Sequence, residues 1–162
     1  VRIERFTQRA QEAITEAQQL AEAEGNPQLD VLHLMLVLTE QSDGVVPAVL
    51  GRIGKDPAEI AQALRGEIAK LPKVQGSGTQ LTLSDDARRA LSDSHLVAER
   101  MKDDYVSTEH LLLAMLEDRR GSAAQRLLNA QGVTPESVLS ALTEIRGSQR
   151  VTTPNPEATY EA

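Results

Sequence analysis

An all-α fold built from two pseudo-twofold copies of one four-helix unit, about eight helices in all, is predicted by three features of the chain. The first is an internal repeat. Sliding the sequence on itself by 77 residues lays Asp30–Glu40 (DVLHLMLVLTE) over Ser107–Glu117 (STEHLLLAMLE), with His33 on His110 and Glu40 on Glu117. The same shift pairs Phe6-Thr7 with Leu83-Ser84, Ala10 with Ala87, Ala13-Ile14 with Ala90-Leu91, and Leu20-Ala21 with Val97-Ala98. With one extra residue, Gly54 meets Gly132, Pro57 meets Pro135, Ile60 meets Val138 and Leu64 meets Leu142. The second is apolar residues recurring at helical spacing in each copy. The third is composition: 40% of residues are hydrophobic, yet only Phe6, Tyr105 and Tyr160 are aromatic, so the core is Leu, Ile, Val, Ala and Met, as suits packed helices.

The elements follow in order. Residues 8–24 place Ala10, Ala13, Ile14, Ala17, Leu20 and Ala21 on one helical face, with Thr7 as N-cap and Gly25-Asn26-Pro27 as the stop. Asp30 caps a second helix running through Thr39 or Glu40, whose near-continuous apolar character predicts burial on most sides. A short helix from about Val45 to Ile53 ends at Gly54. Asp56-Pro57-Ala58-Glu59 then supplies an N-cap, a first-position proline and an acidic first turn for a fourth helix to about Leu71. The second half replays the set. Ser84 caps a helix to about Lys102, Ser107 one to about Asp118, a short helix spans about Ser122–Gln131, and Thr134-Pro135-Glu136 opens the last, to about Arg146. The first repeat thus covers about 3–71 and the second about 84–146, joined by a connection over about 72–83 with two glycines and little helical pattern. Beyond Arg146, residues 147–162 lose periodicity and read as a flexible tail.

Composition narrows the function classes. With 17 Lys+Arg against 24 Asp+Glu the formal charge is -7, which repels phosphate backbones and anionic lipid, so neither nucleic acid nor a membrane surface is the expected partner. The absence of cysteine removes disulfides, thiolate nucleophiles and Cys-based metal sites. The longest apolar run, Val31–Leu38, is interrupted by His33 and falls far short of the ~20 residues of a membrane span. No apolar signal core marks the N-terminus, and a cytoplasmic protein is expected. His33 and His110 lack partners at metal-ligand spacing, and His95 is the only other histidine; polar contacts that pin the two helix starts are the expected role. No nucleophile, base and oxyanion-donor set is apparent, so the chain is read as a binding module and not an enzyme.

The matched cores LDVLHLMLVL and VSTEHLLLAML resemble the duplicated signature of the Clp N-terminal domain, the module at the front of AAA+ unfoldases, over residues 1 to about 146. The stretch KLPKVQGSG and the tail RGSQRVTTPNPEATYEA resemble the ClpB-type branch, the protein disaggregases. Val1 stands where that family ordinarily has its initiator Met, which leaves open an unusual start codon or a trimmed end. The resemblance implies a domain that captures exposed hydrophobic segments of unfolded or aggregated proteins and delivers them to a hexameric ATPase ring. The tail would lead into that ring. ATP and magnesium would belong to the full-length parent, since no G-x-x-x-x-G-K-[ST] loop occurs here. The full-length protein would work with the DnaK chaperone system, and the isolated domain would be monomeric and without cofactor. The alternative is a docking module for a folded adaptor, as in ClpA- and ClpC-type relatives.

Three positions match those the family implicates in substrate handling: Thr7, Asp103 and Glu109. Thr7 also has a sufficient explanation as an N-cap. Glu109 sits where the first copy has Leu32, which suggests an exposed rim in the second half; a first-turn carboxylate also suits the helix dipole. Asp103 and Asp104 precede Tyr105 and read either as solvated loop carboxylates or as an acidic patch attractive to basic-flanked apolar segments. By analogy with the family, a groove between the first and sixth helices would be lined by Leu91 and Leu111, whose plainer reading is core.

Overall fold

The structure, a computed structural model, describes residues 3–74 and 80–156. Residues 75–79, in the middle of the expected inter-repeat connection, and 157–162, the end of the expected tail, lie outside the described residues, as do Val1 and Arg2.

A 3-10 turn over Ile3–Arg5 leads into eight α-helices among the described residues: α1 (Gln8–Ala23), α2 (Val31–Glu40), α3 (Val45–Ile53), α4 (Pro57–Ile68), α5 (Asp85–Arg100), α6 (Thr108–Leu116), α7 (Ala123–Ala130) and α8 (Pro135–Arg146). Their starts are chemically explicit. Thr7 Oγ1 accepts from the Ala10 N–H at 3.2 Å, and Ser84 Oγ does the same for Ala87 at 3.0 Å. Asp56 and Ser122 cap α4 and α7 in the same manner. α4 stops at Ile68 instead of Leu71 because the chain tightens into i to i−3 bonds, Lys70 to Glu67 and Leu71 to Ile68, ahead of Pro72. α5 stops at Arg100 because Lys102 turns left-handed, at φ 61°.

The two halves are interlocked. Two short strands, β1 (Gln28–Leu29) and β2 (Thr82–Leu83), pair in parallel, and Phe6 makes a parallel bridge to Val106. Under the 77-residue shift Phe6 maps to Leu83 and Leu29 to Val106, so these two pairings are images of one another. In each, the residues entering the first helix of one half bond to those entering the second helix of the other. Farther out, α3 packs on α8 and α4 on α7. The connection over 72–83, read from its sequence as a linker with little helical pattern, contributes a strand at its end.

α2 and α6 form the centre. Every residue from Val31 to Thr39 and from Thr108 to Leu116 is buried, and the core adds the alanine stripe Ala10, Ala13 and Ala17 of α1 with Val49, Leu50, Ile60 and Leu64. Small alanines let α1 approach α2 closely, which explains how a core with one phenylalanine fills its volume.

Residues 147–156 depart from the tail predicted to leave the domain at Arg146. They fold back along it: the Val151 carbonyl accepts from Asp104 N–H at 2.7 Å, and the Pro154 carbonyl accepts from the Gln8 N–H at 2.8 Å. Val151 is fully buried. The physical reason is that Asp104 and Gln8 lack backbone partners from their own half, and the strand-like segment supplies acceptors for both.

Candidate functional site

Each half carries the same histidine device. His33 Nδ1 accepts the Asp30 N–H at 2.9 Å, closing the first turn of α2, and His110 Nδ1 accepts the Ser107 N–H at 2.8 Å, closing that of α6. A nitrogen that accepts a backbone N–H carries no proton, so both imidazoles are the neutral tautomer with hydrogen on Nε2. That second nitrogen donates to the residue just after the preceding helix, Asn26 Oδ1 at 2.9 Å and Asp103 Oδ2 at 2.7 Å. Asn26 and Asp103 are equivalent under the repeat. So are the left-handed residues before them, Gly25 at φ 73° and Lys102 at φ 61°. The histidines are thus polar pins of helix starts, and burial lowers the pKa of His33, outweighing the nearby Asp30 and Glu24 carboxylates.

The second half adds charge to this frame. Asp103 Oδ1 accepts from Arg146 Nη2 at 2.7 Å and from the Val151 N–H at 2.9 Å. Glu109 Oε2 lies 3.8 Å from Arg146 Nη1. In the first half the equivalent places hold Asn26, Leu32 and, with the one-residue offset, Ile68, so an amide and two apolar residues stand where the second half has an ion cluster. Asp103, Glu109 and Arg146 are all buried. Burial pushes the Asp103 carboxyl up, but hydrogen bonds from His110, Arg146 and the Val151 N–H outweigh it and hold the carboxyl down at about 2.

The five residues singled out from sequence take these places. Thr7 is a buried N-cap whose N–H also donates to the Val106 carbonyl at 2.9 Å. Glu109 is 0% exposed, which corrects the expectation of a rim: its carboxylate is accommodated because Arg146, two helices later, comes to meet it. Asp103 is 7% exposed and forms no surface patch with Asp104, since three donors draw it inward; Asp104 alone faces solvent. Leu91 and Leu111 are core residues, and α1 packs directly against α6 where a groove was expected. Asp103 and Gln8, the residue after Thr7, are both bonded by the returning segment, at Val151 and Pro154.

An open surface site exists elsewhere, on α5. Leu96 is the most exposed large apolar side chain among the described residues, at 63%. It borders a groove of about 390 Å³ between α5 and the α6–α7 connection, lined also by Val97, Ala114, Asp93, Arg100 and Glu117. Arg89 stabilises one wall by bridging Asp118, at 3.0 Å, and Asp86. Arg100 holds Glu117 at 2.7 Å. Sequence reasoning missed Leu96. The repeat carried the signal: Leu96 falls where the first copy has Gln19, an apolar residue replacing a polar one on the outer face. Among the described residues no group of three or more His, Asp or Glu is placed to hold a metal ion, and no helix is long and apolar enough to cross a membrane.

The comparisons with known proteins agree with this architecture. The family model described as the Clp repeat (R) N-terminal domain matches residues 5–131, and the chain belongs to that family. The chaperone protein ClpB of Nitratidesulfovibrio vulgaris is 39% identical over 163 aligned positions, covering 99% of this chain and 19% of that protein. The chain therefore spans about a fifth of the length of the curated relatives it matches. Among solved structures, the Hsp104 N-terminal domain from Candida albicans superposes with a TM-score of 0.81 at 24% identity, covering 94% of this chain and 98% of that one. A ClpV N-domain in complex with a VipB peptide superposes with a TM-score of 0.72 at 17% identity, covering 87% and 86%. Both share the fold.

Proposed function

We propose that this member of the Clp repeat N-terminal family is the substrate-capture domain of an ATP-dependent protein disaggregase. It binds exposed hydrophobic segments of unfolded or aggregated proteins weakly and hands them to an ATPase ring. The observation that carries the reading is the α5 groove: the exposed Leu96 stands at its edge above the buried Val97 and Ala114, among charges of both signs. Unfolded chains share exposed apolar residues flanked by charged ones, not a sequence, and a shallow apolar strip with an amphoteric rim suits such ligands. The likeness to ClpB chaperones supports the disaggregase branch. In this reading ATP, magnesium, the hexameric ring and cooperation with the DnaK system belong to the full-length cytoplasmic parent, and the domain itself is a monomeric, non-enzymatic binder.

The test is binding of a fluorescently labelled, permanently unfolded protein, followed by anisotropy. Leu96→Glu removes one apolar contact of about 1.5–3 kcal/mol and is expected to weaken binding roughly 10- to 100-fold. Unchanged affinity in that variant would sink the groove as the capture site.

A second reading is docking of a defined partner segment, favoured by the peptide complex of the ClpV N-domain. It predicts a one-to-one complex with a folded or peptide partner and indifference to denatured protein.

A further inference from the structure

The structure assigns Asp103 the role of a latch: with Arg146 beside it, it holds residues 147–156 as a docked strap, and, resting on the proposed reading of a domain joined to an ATPase ring, the strap sets how far the domain can reach from that ring. Three observations converge. Asp103 Oδ1 is shared between Arg146 Nη2 and the Val151 N–H, so one carboxylate oxygen binds the end of α8 and the strap together. The strap is bonded elsewhere as well, Val151 O to Asp104 N and Pro154 O to Gln8 N, and Val151 is fully buried. The first half shows the unmodified arrangement: the segment after α4 docks on the equivalent loop through Asn26 Nδ2 to the Pro72 carbonyl at 3.0 Å and Val74 N to the Gly25 carbonyl at 2.8 Å. There, a neutral amide suffices. The second half places a carboxylate and an arginine at the corresponding positions, a buried pair that stability alone does not require.

Docked, residues 147–156 contribute little tether length. Released, about ten residues at ~3.3–3.6 Å each extend the reach by as much as roughly 35 Å. Asp103 acts here through the strap, as a positioning residue. This role is independent of which surface captures a partner.

Backbone amide exchange on the full chain tests it. Val151, Asp104 and Gln8 amides are expected to be protected in the parent chain. Asp103→Asn should speed their exchange by tenfold or more while the amides of α2 and α3 stay unchanged. Val151→Asp undocks the strap while keeping the Asp103, Glu109 and Arg146 side chains, at the cost of the one bond from the Val151 N–H to Asp103, and should expose Gln8 equally, which keeps the test decisive if Asp103→Asn folds poorly. Because the chain has no cysteine, dyes on Ser42→Cys and Ala162→Cys report reach directly by energy transfer, and both undocking variants should lengthen that distance. Parent-chain exchange of Val151 at the unstructured rate would overturn the proposal. So would protection and dye distance that are unmoved by either variant.

Discussion

Arg146→Met isolates the buried ion cluster. Arg146 is 5% exposed and donates to Asp103 at 2.7 Å, with Glu109 3.8 Å away. Its replacement leaves two carboxylates in the interior with less compensation, and breaking a buried pair from one side costs about 3–5 kcal/mol. The first half shows how the same place is filled without charge. The triple variant Asp103→Asn, Glu109→Leu, Arg146→Ile copies Asn26, Leu32 and Ile68 into the second half, and the introduced amide oxygen accepts from His110 as that of Asn26 does from His33. Such a swap of a buried ionic triad for packed neutral residues is often neutral or stabilising by about 1–4 kcal/mol. Urea unfolding followed by helical circular dichroism should therefore rank triple variant at or above parent, and parent well above Arg146→Met, with a common m-value. A single variant costing under about 1 kcal/mol, or a triple variant no better than the single, would refute the reasoning.

Acid should weaken the domain in two stages. The His33 pKa lies below 6.5, so its neutral form contributes stability that is complete above pH 6.5 and lost as pH falls through its folded value. Asp103, lowered from 3.8 to about 2, contributes roughly 2 kcal/mol that persists above pH 3.8 and disappears as pH falls toward 2; urea midpoints measured from pH 8 to pH 2 should show both declines. Gly25→Ala should cost about 1 to 2 kcal/mol, measured by the same unfolding. At φ 73° a side chain is strained, although a Cβ there would make only ordinary contacts, with Val74 O at 3.5 Å and Lys73 Cβ at 4.0 Å. Leu96→Glu, at an exposed position, should leave the unfolding midpoint within about 0.5 kcal/mol of the parent while weakening capture.

The helices were legible because their signals are local. Thr7, Asp30, Asp56-Pro57, Ser84, Ser107 and Thr134-Pro135 announce their own starts through side-chain oxygens and prolines a few bonds from the N–H groups they serve. The histidine pins were also within reach, since His33 and His110 lie three residues into their helices. What stayed hidden depends on distant chain. Nothing near Glu109 says that Arg146 will neutralise it, so a carboxylate in place of Leu32 read as exposure. Val151 sits in a stretch with prolines and no period, and only its bonds to Asp103 and Asp104, with that of Pro154 to Gln8, explain its burial. The repeat offered a partial remedy in each case. Positions where the copies differ in polarity, Leu32 and Glu109, Ile68 and Arg146, Gln19 and Leu96, are the places where the second half departs from plain packing.

The capture claim is tested most directly by an NMR titration of the isotope-labelled chain with a permanently unfolded protein, recording which backbone amides move. The account predicts shifts centred on Asp93, Leu96 and Arg100 of α5, on Ala114, and on Glu117 to Arg120, with the buried Thr7 and Glu109 amides quiet. An unmoved spectrum at high ligand concentration, or shifts confined to surfaces away from α5, would contradict it.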